Sequence, residues 1–284
     1  MGEREAEVGA LDADWHEYQY NPRVAVPDAL AIMAGWPARA EATRRRHPPI
    51  ADIAYGPHPR EVMDLFRAPD ARGTVIFIHG GYWRALSKLE TSWVADAFLR
   101  QGLSVAVLNY PLCPDVTLAR IRDAAIAAFV KLYRDVLTPA ERRRIVVSGH
   151  SAGGYLAALH LATDWRAYGL PAEPIAGALS ISGIFGLVPL INTSMNEALR
   201  LDEAEAARLS LLGVPWRNRA RLAFAVGALE PAAFHRQSED MAQAWADLSP
   251  RLLAVADTHH LSVLDGLAVP GSVLNSLVIE MIDG

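Results

Sequence analysis

Gly149-His150-Ser151-Ala152-Gly153 sets a hydroxyl between two glycines, directly after the apolar run Ile145-Val146-Val147 and before a stretch rich in Ala and Leu. A serine in a strand-to-helix turn of this kind is presented as a nucleophile. The flanking glycines remove side chains that would clash in so sharp a bend, and they tolerate strained backbone angles. An acyl carbonyl attacked by Ser151 would become an oxyanion, which needs backbone N–H groups already aimed at it. His79-Gly80-Gly81-Tyr82-Trp83, after a second apolar run at Thr74-Val75-Ile76-Phe77-Ile78, can supply them. The N–H groups of Gly81 and Tyr82 are expected to join that of Ala152, the residue after the nucleophile. His79 is expected to fix this loop through hydrogen bonds.

The hydroxyl also needs a base. Four histidines follow Ser151 in the chain: His160, His235, His259 and His260. His160 falls inside the helix after the turn, and His235 falls early in a later helix. His259 and His260 remain, side by side in the loop after the last strand, and by position alone either could take the proton. With the order serine, acid, histidine, the acid should follow the penultimate strand. The apolar run 221–229 ends at Glu230, which is expected to orient the histidine, with Asp257 in reserve. Asp257 and Asp265 flank the histidine loop itself.

These residues require elements that hold them at one end of a sheet. Apolar, β-branched runs predict strands at 74–78, 104–108, 145–147, 175–180, 221–226 and 251–255, with earlier strands near 50–55 and 61–66 as antiparallel edges. Helices are expected near 87–101, 117–136, 152–164, 233–247 and 272–282. In the second of these, Leu118, Ile121, Ala125, Phe129 and Leu132 recur at helical spacing. Such alternation predicts a mostly parallel central sheet with helices on both faces. Two regions stand outside it. Residues 1–48 carry the aromatics Trp15, Tyr18, Tyr20 and Trp36, and residues 187–219 read as a small lid insertion. No linker-like tract separates them, so the 284 residues are read as one domain.

A net charge of −5 offers nucleic acid or an anionic membrane no electrostatic partner surface. Cys113 is the only cysteine, which removes internal disulfides. The acidic N-terminus lacks the order of a signal peptide, and no apolar stretch has membrane-spanning length. The expectation is a cytoplasmic enzyme acting on a small molecule without a cofactor or metal, with a homodimer left open. No His-x-x-His or His-x-x-x-His pair and no carboxylate cluster suggests a metal site.

The chain resembles the arylformamidase (kynurenine formamidase) branch of the α/β-hydrolases. The likeness is carried by Asp14-Trp15 through Tyr20-Asn21-Pro22, by His79-Gly80-Gly81-Tyr82-Trp83, and by Gly149-His150-Ser151-Ala152-Gly153-Gly154. It continues through Ser182-Gly183-Ile184-Phe185 with Pro189-Leu190, Thr193-Ser194 with Asn196, Val226-Gly227 through Glu230, Phe234-His235-Arg236-Gln237-Ser238 and His260. The resemblance implies the α/β-hydrolase fold and cleavage of N-formyl-L-kynurenine to L-kynurenine and formate, by a Ser151–His260–Glu230 triad through a formyl-enzyme. It selects His260 as the base, with His259 standing where the family usually has Asp, and Glu230 where it often has Asp. Tyr82, Trp83 and Trp216 are expected as walls of the substrate site, and Asn196 as a further contact. Gly186 replaces a common acidic residue and Leu211 a proline, changes expected near the acyl or ring pocket. A carboxylesterase of broad specificity, using the same triad on short-chain or aryl esters, is the alternative.

Overall fold

The computed structural model describes residues 13–284, so the start of the N-terminal extension lies outside the described residues. Eight strands form one sheet in the order β1-β2-β4-β3-β5-β6-β7-β8. In chain order they are β1 (Ile50–Ala54), β2 (Val62–Phe66), β3 (Thr74–Ile78), β4 (Ser104–Leu108), β5 (Ile145–His150), β6 (Gly177–Ile181), β7 (Arg221–Gly227) and β8 (Arg251–Val255). β2 pairs antiparallel with both β1 and β4, and every later pairing is parallel. The expected parallel sheet with antiparallel edge strands is therefore present.

Every residue of β3, β4, β5 and β6 is buried, as a strand covered on both faces requires. Alternate side chains feed two cores. Ile76, Ile78, Ala106, Leu108 and Val147 pack on one face against the helices Leu118–Lys131 and Ala152–Ala162. Val75, Phe77, Val105, Val107 and Val146 pack on the other against Ala95–Arg100 and Val273–Asp283.

Some elements depart from the expected boundaries. The helix expected over 87–101 is broken into Lys88–Thr91, Ser92–Val94 and Ala95–Arg100. Its start is fixed by the Ser87 side chain, which accepts from the Leu89 N–H. The long amphipathic helix is regular over Leu118–Lys131 and then widens over Leu132–Val136. Among the described residues no single helix is long and apolar enough to cross a membrane.

Topology sets the chemistry's address. From β3 the chain moves outward to β4, then returns to β5 on the other side, so β3 and β5 are neighbours joined in register, with Ile78 beside Gly149. A crevice opens at such a reversal, beyond the carboxyl ends of the strands. The two glycine-bearing turns lie there together. β7 and β8 are likewise neighbours, with Gly227 beside Val255, which aligns the segments carrying Glu230 and His260.

The helix after β5 lies so close to β3 that a Cβ added at Gly153 would sit 2.0 Å from the Ile78 carbonyl oxygen. One at Gly149 would sit equally close, 2.0 Å, to the Gly153 oxygen. Both obstacles are backbone, so neither can swing aside. Gly153→Ala is expected to cost about 3 kcal/mol or more, read as a lowered urea midpoint at unchanged slope. A loss below about 0.5 kcal/mol would contradict the packing described.

Candidate active site

Ser151 occupies the sharp turn between β5 and the helix Ala152–Ala162, at φ 55° and ψ −119°. A non-glycine residue is rarely held there, and the cost is met by the fixed neighbours on either side. Its N–H donates to the Ile181 carbonyl at 2.8 Å, which ties the turn to the adjacent strand. Ser151 lines a cavity that His260 also lines.

His260 is buried, and its Nδ1 lies 2.6 Å from Oε2 of Glu230. The other carboxylate oxygen of Glu230 accepts from the Ser182 hydroxyl at 2.6 Å and from the Gly227 N–H at 2.7 Å. Burial alone would raise the Glu230 carboxyl, but the His260 ring and these donors outweigh it and hold the group below its ordinary value. Glu230 is thus an ionised acceptor for the Nδ1 proton, which leaves the Nε2 lone pair of His260 free to take another.

The remaining histidines have other duties. His150, the residue before the serine, has Nε2 2.7 Å from the His260 carbonyl oxygen, with the two rings 4.7 Å apart. Burial and the neighbouring His260 push it down to about 3, so it stays neutral and donates from Nε2 to that carbonyl. His259 uses Nδ1 to accept from the N–H groups of Leu261 and Ser262, each at 3.2 Å, and so shapes the turn. His160 is buried in its helix, bonded to the Leu156 carbonyl. His79 stacks on Tyr110 at 4.3 Å and bonds the Gly80 carbonyl at 2.8 Å. Asp257 is exposed in a left-handed turn, while Glu230 makes the contact with His260.

The loop after β3 is held in an unusual shape, with φ 101° at Gly81, 51° at Tyr82 and 52° at Trp83. At Gly81 a Cβ would also strike the Ala85 carbonyl at 2.3 Å. Tyr82 is kept in its left-handed conformation by its phenol, which donates to the Tyr20 carbonyl. Ala152 opens the helix, so its N–H has no acceptor within it. Among the described residues, none of the loop's backbone hydrogen bonds uses the N–H of Gly81 or Tyr82.

The cavity, of about 60 Å³, is lined by Gly81, Tyr82, Ser151 and His260 as the sequence led one to expect. It is also lined by Arg84, Leu86, His150 and Met195, and by Asn21, Pro22, Arg23, Met33 and Trp36 of the N-terminal segment. That segment is the main roof. Its helix Ala13–Tyr20 is pinned to the 187–219 insertion by Glu17, whose carboxylate accepts from the Ser194 N–H at 2.9 Å and hydroxyl at 2.7 Å.

Three residues expected at the substrate site lie elsewhere. Trp83 is fully buried and meets Tyr155 edge to face at 5.4 Å, so the strained loop turns it into the core. Asn196 braces the insertion, bonding the Leu201 N–H at 2.8 Å and the Leu201 carbonyl at 3.0 Å. Trp216 lies near the far end of the helix after Ser151, where the next residue, Arg217, bonds the Leu161 carbonyl at 2.7 Å. Gly186 and Leu211 do not line the cavity either; the Gly186 N–H bonds Gln237 and Leu211 is core. The roof residues were missed because they lack a chemical motif. Their signals were an aromatic cluster without strand pattern and the family-like run Tyr20-Asn21-Pro22. Among the described residues no group of three or more His, Cys, Asp or Glu is placed to hold a metal ion.

A family model described as the alpha/beta hydrolase fold matches residues 75–264. The kynurenine formamidase of Danio rerio is 29% identical, with 96% of this chain and 95% of that protein covered. A solved structure from Silicibacter sp. tm1040, provisionally assigned as a thioesterase, is 30% identical at a TM-score of 0.84, covering 93% of this chain and 98% of that one. Esterase B of Lactobacillus rhamnosis, solved with a tributyrin phosphonate inhibitor, is 18% identical at a TM-score of 0.65, covering 90% and 94%, and is alike in fold. The likeness to arylformamidases read from the sequence is thereby borne out.

Proposed function

Because the chain belongs to the α/β-hydrolase fold family and is a hydrolase, we propose that it cleaves the formamide of N-formyl-L-kynurenine or a similar aryl formamide, with Ser151 as nucleophile, His260 as base and Glu230 as the orienting acid. The observation that carries the catalytic part is the buried 2.6 Å contact from His260 Nδ1 to Glu230, beside a cavity shared by His260 and Ser151. The choice of formamide is supported by a kynurenine formamidase similar over nearly the whole chain.

In the first half-reaction, Ser151 Oγ attacks the formyl carbon while its proton passes to His260 Nε2. The carbonyl oxygen becomes an oxyanion and is met by the N–H groups of Gly81, Tyr82 and Ala152. Collapse of the tetrahedral species breaks the C–N bond, and the departing arylamine takes the proton from His260. A formyl ester on Ser151 remains. Water then gives its proton to His260 and attacks that ester; the proton returns to Ser151 Oγ and formate leaves. Through both halves Glu230 accepts from Nδ1 and stabilises the imidazolium. His150 acts on the base from behind, holding its backbone carbonyl.

A carboxylesterase is the second reading, favoured by the esterase-like fold and by the same triad. Turnover of N-formylkynurenine and p-nitrophenyl acetate by the purified protein separates the two. The formamidase reading expects kcat/KM on the formamide at least comparable to that on the acetate. Acetate hydrolysis without formamide turnover would replace it with the esterase.

A further inference from the structure

We propose that Arg84, aided by Arg23, forms a carboxylate-binding subsite in the wall of the Ser151 cavity, so that the preferred substrate carries a carboxylate on its leaving group. This rests on the hydrolase reading above and narrows its substrate class.

Several other half-buried arginines meet strong acceptors. Arg67 bonds Glu141 at 2.6 Å, Arg44 bonds Asp64, and Arg120 bonds Glu61. Arg60, also partly buried, is satisfied by the Tyr110 carbonyl at 2.9 Å and the Leu86 carbonyl at 2.6 Å. Arg84 breaks this pattern. It is partly buried against the cavity, and the one hydrogen bond of its guanidinium among the described residues reaches the Met195 sulfur at 3.5 Å. A thioether is a weak acceptor for a group with five donors.

Arg23 lines the same cavity, and among the described residues its guanidinium has no carboxylate partner. Among the described residues no Asp or Glu lines the cavity. Glu17 feels the Arg84 charge, but its oxygens are taken by Asn21 and Ser194. Two cations with spare donors therefore face a space in which the described residues place no anion. A planar guanidinium fork matches a carboxylate, and partial exclusion of water strengthens the pair.

The position suits this role. The Arg84 N–H bonds the Gly81 carbonyl at 3.0 Å, so the cation belongs to the same tight turn as the oxyanion donors. Met33, Trp36 and Leu86 supply an apolar lining alongside. A substrate bound here would place its acyl carbonyl at Ser151, its ring on the apolar wall and its carboxylate on Arg84. A formylated arylamine bearing an amino-acid side chain meets all three conditions.

The test compares 4-acetoxybenzoate with its neutral methyl ester, two acetates that differ in the leaving group's charge. The protein is expected to favour the anion by ~10-fold or more in kcat/KM. Arg84→Met should reduce that preference by ~10- to 100-fold, mainly through KM of the anion. Arg84→Lys should keep part of it, because charge remains while the fork is lost. Added NaCl should raise KM for the anion more than for the methyl ester. Equal turnover of the two esters by the unaltered protein, or equal loss on both in Arg84→Met, overturns the proposal. If Arg84→Met fails to fold, the lysine variant and the salt series on the unaltered protein decide. Failure of the formamidase reading would show separately, as absent N-formylkynurenine turnover with the ester preference intact.

Discussion

Ser151→Ala is expected to lower kcat on both N-formylkynurenine and p-nitrophenyl acetate by on the order of 10⁶, the scale met when a triad nucleophile is removed. The argument is geometric. The turn at φ 55° presents one hydroxyl beyond the end of the sheet, and among the described residues no second serine or threonine hydroxyl lines the cavity. Alanine fits the same turn without a clash, so the fold and the oxyanion donors should survive. What remains should be the weaker acceleration that binding and the oxyanion donors give alone. Circular dichroism should be unchanged, and mass spectrometry should find no acyl adduct on the variant after exposure to a slow ester. Activity within tenfold of the parent protein would remove Ser151 from the mechanism.

The second large effect is expected at Glu230. Glu230→Gln should lower kcat by up to ~10⁴, since the amide cannot stabilise the imidazolium and permits the wrong tautomer of His260. Asp257→Asn, at an exposed position, should change it by no more than a few-fold. A reversed pair of results would transfer the role to Asp257. Stability should respond as well, because Glu230 serves three donors: His260, Ser182 and the Gly227 N–H. Removing their acceptor altogether, in Glu230→Ala, should cost about 1–3 kcal/mol for each donor left buried and unpaired.

The pH dependence follows from the direction of its shift. The folded protein holds this carboxyl below its ordinary 4.5. The stability contributed by its ionised form is therefore complete above that value, and it is lost as pH falls through the lower folded one. In Glu230→Gln, that share of the acid loss of stability should vanish. Denaturant melts of both proteins between neutral pH and pH 3 would show it; parallel curves would argue against the linkage.

Strand–turn–helix context made Ser151 legible from sequence, because glycines and apolar runs report local backbone demands directly. Glu230 was legible for the same reason, as the acid in the turn just after a buried strand. His260 was legible only through family likeness: position could not separate it from His259, whose ring folds back on its own turn. The walls were the least legible part. Trp83 follows Tyr82 directly, yet consecutive left-handed residues send one ring towards the N-terminal segment and the other into the core. Nothing in residue type announces that sequence of angles. Trp36 and Met33 reach the cavity from a helix that bears no chemistry, so only the folded chain reveals them.

The roof contributed by the N-terminal segment has a consequence for how this enzyme can change. The reacting groups hang from strands whose spacing is fixed by a packed sheet, and altering them risks the whole core. The cover is a separate segment held by contacts of its own, among them Glu17 with Ser194, Tyr20 with Tyr82, Trp36 with Trp93 and Arg46 with Asp96. Substitutions at Asn21, Arg23 or Met33 can reshape what enters while leaving the hydrolytic groups untouched. Part of the appetite for substrate is thus carried by a stretch separate from the hydrolytic groups, and that part can diverge while they stay fixed.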